Sequence, residues 1–484
     1  MKERKARVVD EGHVAHTQDA DSSSGLAGEM RGPIKLTMLG AGSGFTPRLV
    51  SDVVQITGSK GGEICLVDID VRRLATVHKF IQLLLEKLGK PGWTLRSTPN
   101  RREVLKDSDY IVSCVEVSGV DCVRFDNDIP LAYGVDQCIG DTIGPGGLFK
   151  GLRTIPVFLD ILRDAEELCP DALVLNYTNP MNMLCLAAGR VSPLPVVGLC
   201  HSVQGTSHLL ADRAGVKYEE LDWACAGINH LAWFTKLEHK GKNLYPKLMR
   251  RARQDLAGKP FNPDDAGDLV RKDMMLHFGA FITESSGHLS EYLPYYRTHK
   301  KEMKKYIGGK YGGASSYYAD YWPEWRRNVD KGREDVVSGK KSIDEQRKKG
   351  WGRSWEYASW IIEAHQKDAP YRIYGNVMNS RNGGGPLIGN LLQDGCVEVA
   401  CMVDRNGINP VAFGNLPPQM AAICRSNMSM FDLGAQAAIE KSKELAAQAL
   451  MLDPLTSAMC TPAQIREMTE RMFKAEKVFL KGYK

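Results

Sequence analysis

The sequence predicts an α/β protein: a doubly wound parallel sheet of the Rossmann type over residues 33–230, followed by a mixed α+β region over 231–484. Three observations predict it. Short apolar runs alternate with helical patterns through the first half of the chain. A glycine-rich turn ends the first of those runs, and an acidic residue ends the second.

The first run, Ile34-Lys-Leu-Thr-Met-Leu39, stops at Gly40 and reads as a buried strand. Thr46-Pro47 has the form of an N-cap with proline at N1, and a helix would run on through Leu49, Val53, Val54 and Ile56. Ile64-Cys-Leu-Val-Asp68 is the second strand, and Asp70 is placed to cap the helical pattern over 70–89. Residues 109–115 form a third strand. Helix and strand then alternate: 152–168 helical, 172–177 strand, 180–190 helical, 196–199 strand, 204–215 helical. After about residue 231, aromatic and glycine-rich loops such as 306–321 mix with helical stretches near 351–366, 434–451 and 462–478. Residues 1–32 are polar, carry both charge signs and read as a disordered leader.

Composition excludes several classes. A net charge of +5 over 484 residues is too weak for a nucleic-acid binder, and the short basic run at 300–305 reads as a solvated face. No apolar stretch reaches the roughly 18–20 residues of a membrane span. No secretory h-region precedes the first strand. The 12 cysteines contain no C-x-x-C pair and sit mostly in apolar runs, as Cys65, Cys114 and Cys185 do. Free thiols in a reducing, cytoplasmic compartment account for them.

Four stretches could carry chemistry. Gly40-Ala-Gly42-Ser43-Gly44 lies at a strand-to-helix turn, where backbone can approach a pyrophosphate; Phe45 replaces the usual third glycine. Asp68 is placed to accept hydrogen bonds from the ribose of NAD and to repel the 2′-phosphate of NADP. Asn176-Tyr-Thr-Asn179-Pro180 follows a strand, and reads equally as a ligand loop or an ordinary turn. Cys200-His201 follows another strand, and with His230 offers a thiolate and an imidazole to a divalent metal. Two protein ligands leave positions for substrate, which suits catalysis better than a closed structural site. Gly140-Asp-Thr-Ile-Gly-Pro-Gly-Gly147 reads as a loop passing close to a ligand or another backbone, before a helix at Leu152.

Taken together, these residues resemble glycoside hydrolase family 4, the NAD- and manganese-dependent glycosidases. The resemblance runs from Ile34 to about residue 475. Its further stretches are Leu152-Arg-Thr-Ile-Pro156, Gly198-Leu-Cys-His-Ser-Val-Gln-Gly205, Ala226-Gly-Ile-Asn-His-Leu231, Thr283-Glu-Ser-Ser-Gly-His288 and Val397-Glu-Val-Ala-Cys-Met-Val-Asp404. Two of these, Gly198–Gly205 and Val397–Asp404, are most similar to the α-galactosidase branch. The resemblance implies hydrolysis of an α-glycoside by oxidation at C3, loss of the C2 proton and departure of the aglycone, in place of the two-carboxylate scheme. It implies Gly40, Gly42, Ser43, Asp68 and Asn176 for NAD, and Cys200 and His230 for Mn2+. It further implies Asp273 as base in Arg271-Lys-Asp273, with Arg271 and Asn179 on the sugar and His201 as acid or sugar ligand. A homodimer or homotetramer is usual in the family. Gly287 departs from the glutamate common in this branch, and the stretch 379–385 looks long. The basic region after Tyr295-Tyr296 raises an anionic sugar, a galacturonide or glucuronide, held by Arg297. A plain NAD-dependent hydroxy acid dehydrogenase shares the N-terminal unit but has no need of the Cys200/His230 pair. A sensor that has kept the fold is the remaining alternative.

Overall fold

The structure is a computed structural model that describes residues 25–260, 262, 265, 267–347, 350–380 and 384–484. The first half lays down β1 (Ile34–Leu39), α1 (Thr46–Val54), β2 (Gly62–Val67), α2 (Val71–Lys87), β3 (Trp93–Thr98), α3 (Arg102–Leu105), β4 (Tyr110–Ser113), α4 (Val123–Leu131), α5 (Gly144–Leu168), β5 (Leu173–Asn176), α6 (Met181–Val191), β6 (Val196–Leu199) and α7 (Ser202–Ala214). Its strands pair in parallel in the order β3-β2-β1-β4-β5-β6. The order reverses between β1 and β4, which opens a crevice at the carboxyl ends of the strands. β4 and β5 are buried throughout. Parallel strands covered on both faces read as unbroken apolar runs, and these two do.

The second half continues with β7 (Leu221–Ile228), β8 (Leu231–His239), β9 (Lys242–Asn243), α8 (Tyr245–Leu256), α9 (Leu269–Phe278), β10 (Phe281–Ile282), α10 (Ser286–Leu289), α11 (Lys300–Tyr306), α12 (Tyr317–Val337), α13 (Tyr357–Lys367), β11 (Tyr371–Met378), β12 (Cys396–Asp404), β13 (Gly407–Pro410), α14 (Pro418–Glu440), α15 (Lys443–Leu452), α16 (Pro454–Met459) and α17 (Pro462–Ala475). β11 pairs antiparallel with β6, so one sheet runs through both halves. The expected division at 230/231 falls at the tip of the β7–β8 hairpin, where Ile228 pairs with Leu231.

Several local expectations are refined. Asp70 does cap α2, accepting from the Arg73 amide at 3.0 Å. α1 starts at Thr46 itself and Pro47 lies in its first turn. The second half of the glycine-rich stretch is helix: α5 begins at Gly144, eight residues before Leu152. Its glycines still serve close approach. A Cβ on Gly146 would lie 2.3 Å from the Gly140 carbonyl oxygen, and one on Gly147 2.4 Å from the Thr142 carbonyl carbon. Of the expected leader, residues 1–24 lie outside the described residues. Residues 25–32 pack on the fold: the Leu26 amide donates to Glu363 of α13 at 2.9 Å, and Met30 is buried.

Candidate active site

A cleft of about 1050 Å³ opens at the crevice between the strand ends. Ser43 and Phe45 line it from the turn after β1, and Cys114, Val115 and Glu116 from the segment after β4. Thr178 and Asn179 follow β5, Cys200 and His201 follow β6, and His230 comes from the β7–β8 turn. Tyr317, Tyr318, Tyr321, Trp322 and Trp325 of α12 add an aromatic wall.

The turn after β1 is built for close approach. Gly40 has φ +72°, and a Cβ there would meet the Cys114 carbonyl oxygen at 2.5 Å. The Gly42 amide donates to Asp68 at 2.7 Å, so the acid at the end of β2 braces the turn. Buried Arg333 of α12 donates to the carbonyls of Gly42 and Ser43 at 2.8 and 2.5 Å. Asn176 does not line the cleft. Its side chain accepts from the Thr178 amide and donates to the Thr178 carbonyl, both within the turn after β5. These bonds shape the turn that presents Thr178 and Asn179 to the cleft.

Next to this turn, ligand atoms of Cys200, His230 and Glu284 all lie within 4.8 Å of one another. Sequence reasoning found the first two. It missed Glu284, which sits between β10 and α10 and is distant in the chain; its only signal is an acid within the Thr283–His288 stretch. His230 and Glu284 both hold left-handed backbone, φ +61° and +69°. Such strain costs about 1–3 kcal/mol per residue and gathers at functional sites. The Tyr311 hydroxyl donates to Glu284 at 2.9 Å.

The cluster gathers acidic groups around the Cys200 thiol. Burial, and then Glu398 and Glu284, push the Cys200 thiol well above its ordinary range. Burial lifts Glu398 of β12 to about 8, and its Oε2 has no hydrogen-bond partner among the described residues. A divalent cation would take the place of the thiol proton and relieve both strains, so the donor set fits a metal. The mixed S/N/O set does not by itself select manganese. Behind it, buried His288 rises to about 9: burial opposes its charge, but Glu284, Glu291 and Asp141 outweigh burial.

The other expected residues divide into two groups. Asn179 and His201 line the cleft. The Asn179 amide donates to Asp141 at 3.2 Å, and His201 Nδ1 lies 3.4 Å from the Glu356 carboxylate. Arg271, Asp273 and Arg297 are not among the lining residues. Arg271 is a strut: it bonds Asp268 at 2.7 Å and Thr206 at 3.2 Å. Burial works against the Asp268 charge, but Arg271 and Arg213 hold its carboxyl well below the usual range. Asp273 accepts from the hydroxyls of Tyr296 at 2.7 Å and Tyr306 at 3.4 Å. Arg297 is buried outside the cleft, where its three nitrogens bond Ser290, Asp136 and the Gly313 carbonyl, so it is not placed to meet a substrate carboxylate. Gly287 backs onto the chain at 311–313: a Cβ would lie 2.4 Å from the Tyr311 carbonyl oxygen. No glutamate fits there. Of the long stretch 379–385, residues 381–383 lie outside the described residues.

Comparison with known proteins agrees with this geometry. A model described as "Family 4 glycosyl hydrolase" matches residues 35–216, and its C-terminal domain model matches 225–456. An alpha-galactosidase of Bacillus subtilis is 37% identical over 93% of this chain and 100% of its own. An alpha-galactosidase of Rhizobium meliloti is 36% identical over 93% and 89%. An alpha-galacturonidase of Lachnoclostridium phytofermentans is 27% identical over 92% and 97%. Among solved structures, a 6-phospho-alpha-glucosidase from gut microorganisms in complex with NAD and Mn2+ shares the fold, with TM-score 0.74 and 23% identity over 92% of this chain and 99% of that one.

Proposed function

The chain belongs to glycosyl hydrolase family 4, and from that premise we propose that it hydrolyses α-galactosides with NAD and a divalent metal, Mn2+ in the first instance. The observation that carries this reading is that Cys200 and His230 line the same cleft as Ser43 of the turn after β1, with a Glu284 carboxylate oxygen within 4.8 Å of their ligand atoms. A plain hydroxy acid dehydrogenase has no use for that donor set.

When bound, NAD supplies a hydride acceptor and donor for C3 of the sugar, and the metal supplies Lewis acidity. The chain's own residues do the rest. The turn at Gly40, Gly42 and Ser43 seats the dinucleotide, with Asp68 beside it. Cys200, His230 and Glu284 would hold the metal. Asn179 binds the sugar near C3. Asp141 takes the role first expected of Asp273, accepting the C2 proton, because its carboxylate lies in the cleft beside Asn179. His201, facing the cleft and held by Glu356, gives a proton to the leaving oxygen. Asp141→Asn should therefore stop exchange of the C2 hydrogen with solvent, while Asp273→Asn leaves exchange running. The reverse pattern, read by NMR in deuterated water, would return the base to Asp273.

A neutral sugar is favoured over an anionic one. Arg297 does not line the cleft, Glu116 and Asp141 offset the charge of the cleft-lining Lys150, and the alpha-galactosidase relatives are 36–37% identical against 27% for the alpha-galacturonidase. No helix of the described residues is long and apolar enough to cross a membrane. The 12 free cysteines support a reducing, cytoplasmic setting, and family resemblance supports a homo-oligomer. The test is a panel of 4-nitrophenyl α-glycosides, with galactoside, glucoside, galacturonide and glucuronide, assayed with NAD and Mn2+ under reducing conditions. Preference for a uronide would replace the neutral sugar.

A further inference from the structure

Lys150 stands in the second turn of α5, nearly fully buried, with its ammonium in the cleft. Its Nζ lies 2.7 Å from Glu116 and 3.7 Å from Asp141. Asp141 in turn accepts from the Asn179 amide and from the Thr142 hydroxyl at 2.6 Å. On its other side, Asp141 lies 4.0 Å from His288, which touches Glu284 at 3.8 Å. A polar wall thus runs Glu116–Lys150–Asp141–Asn179 and joins the donor cluster at one end. Burying a lysine is unfavourable unless it is paired, and this one is paired twice. The two carboxylates do more than neutralise it. Glu116 and Asp141 offset the Lys150 charge, which leaves its ammonium poorly matched to a uronate or a phosphate. An ammonium has three donors, and two carboxylates leave one to spare. The chemistry that matches is a neutral hydroxyl, which takes a hydrogen bond from Lys150 and gives one to a carboxylate.

We propose that Lys150, clamped by Glu116 and Asp141, is a specificity-determining residue that binds a ring hydroxyl of the glycone outside the reacting C1–C2–C3 edge, at C4 or C6. This rests on the glycosidase reading above. Asn179, Asp141 and the metal donors serve the C2–C3 edge, so the hydroxyls left to Lys150 and Glu116, on the far side of Asp141, are those two. Glu116 is a positioning residue that fixes the ammonium.

The test compares wild type with Lys150→Met and Glu116→Gln on 4-nitrophenyl α-galactoside and on its 4-deoxy and 6-deoxy analogues, with NAD and Mn2+ present. Lys150→Met should lower kcat/KM on the parent about 10- to 100-fold, the range for losing a charged hydrogen bond to a hydroxyl. That penalty should vanish on one of the two deoxy substrates. Glu116→Gln should give a smaller loss with the same pattern, and it keeps the test alive if Lys150→Met does not fold. Lys150→Arg should restore part of the loss. NAD affinity, read by tryptophan fluorescence, should stay within about twofold in all variants. Equal penalties on all three substrates would overturn the proposal while leaving the glycosidase reading intact. No wild-type turnover on any sugar of the panel would remove the reading and this proposal with it.

Discussion

Glu398 is held against its charge, with a pKa near 8 inside the fold against 4.5 for an ordinary glutamate. The unfolded chain ionises near 4.5, so between about pH 4.5 and 8 unfolding releases a proton. Stability contributed at this site therefore falls as pH rises through that window. In metal-free protein, Glu398→Gln should lose less melting temperature than wild type between pH 5 and pH 8. Equal losses would mean that Glu398 is already ionised in the fold. Cys200→Ser should abolish metal-dependent turnover while NAD still binds; unchanged turnover would take Cys200 out of the site. Cys200 was legible in the sequence because it follows an apolar strand, where open sheets present ligands, and His230 as an imidazole to pair with its thiolate. Glu284 was not, because no local pattern ties it to β6. The short motif Arg271-Lys-Asp273 sits differently from what its spacing suggests. Two residues apart on α9 they point to nearly opposite sides of the helix, about 160° apart, and neither lines the cleft.

The elements around the cleft explain what sequence patterns missed. β3 is a sheet edge with only Trp93 and Thr98 buried, so its polar alternation gave no apolar run to read. Tyr317, Tyr318 and Tyr321, at the end of the expected loop 306–321, instead open α12, where rings stack, as Tyr317 on Tyr321 at 5.2 Å between centroids. α12 also carries Arg333, which braces the turn after β1. Arg333→Leu should weaken NAD binding about tenfold or more, since two carbonyls of that turn lose a charged donor. Quenching of Trp325, which packs on Gly44, reads this without turnover. Unaltered affinity would show that the turn holds its shape alone. Gly287→Ala tests the fit of α10 against 311–313: overpacking should cost about 1–3 kcal/mol in denaturant unfolding. A neutral result would mean that the segment shifts freely.

At the scale of the molecule, alternating helices and strands were enough to place the Rossmann half, because each buried parallel strand announces itself as an apolar run. The joining of both halves into a single sheet was not legible, since antiparallel pairing of β11 with β6 is set by contacts distant in the chain. That continuity has a consequence for function. Residues from β6, the β7–β8 turn, β10–α10 and β12 meet at one place, and only the assembled sheet brings Cys200, His230, Glu284 and Glu398 together. The central claim is that this meeting point and the glycine turn act in one reaction. The most direct test is hydrolysis of 4-nitrophenyl α-galactoside by the purified full chain with NAD and Mn2+ under reducing conditions, repeated with each one omitted. The account predicts turnover that disappears when either NAD or the metal is withheld, with no net accumulation of NADH. Turnover that persists without NAD, or net NADH formed from a free hydroxy acid with no glycoside cleaved, would contradict it.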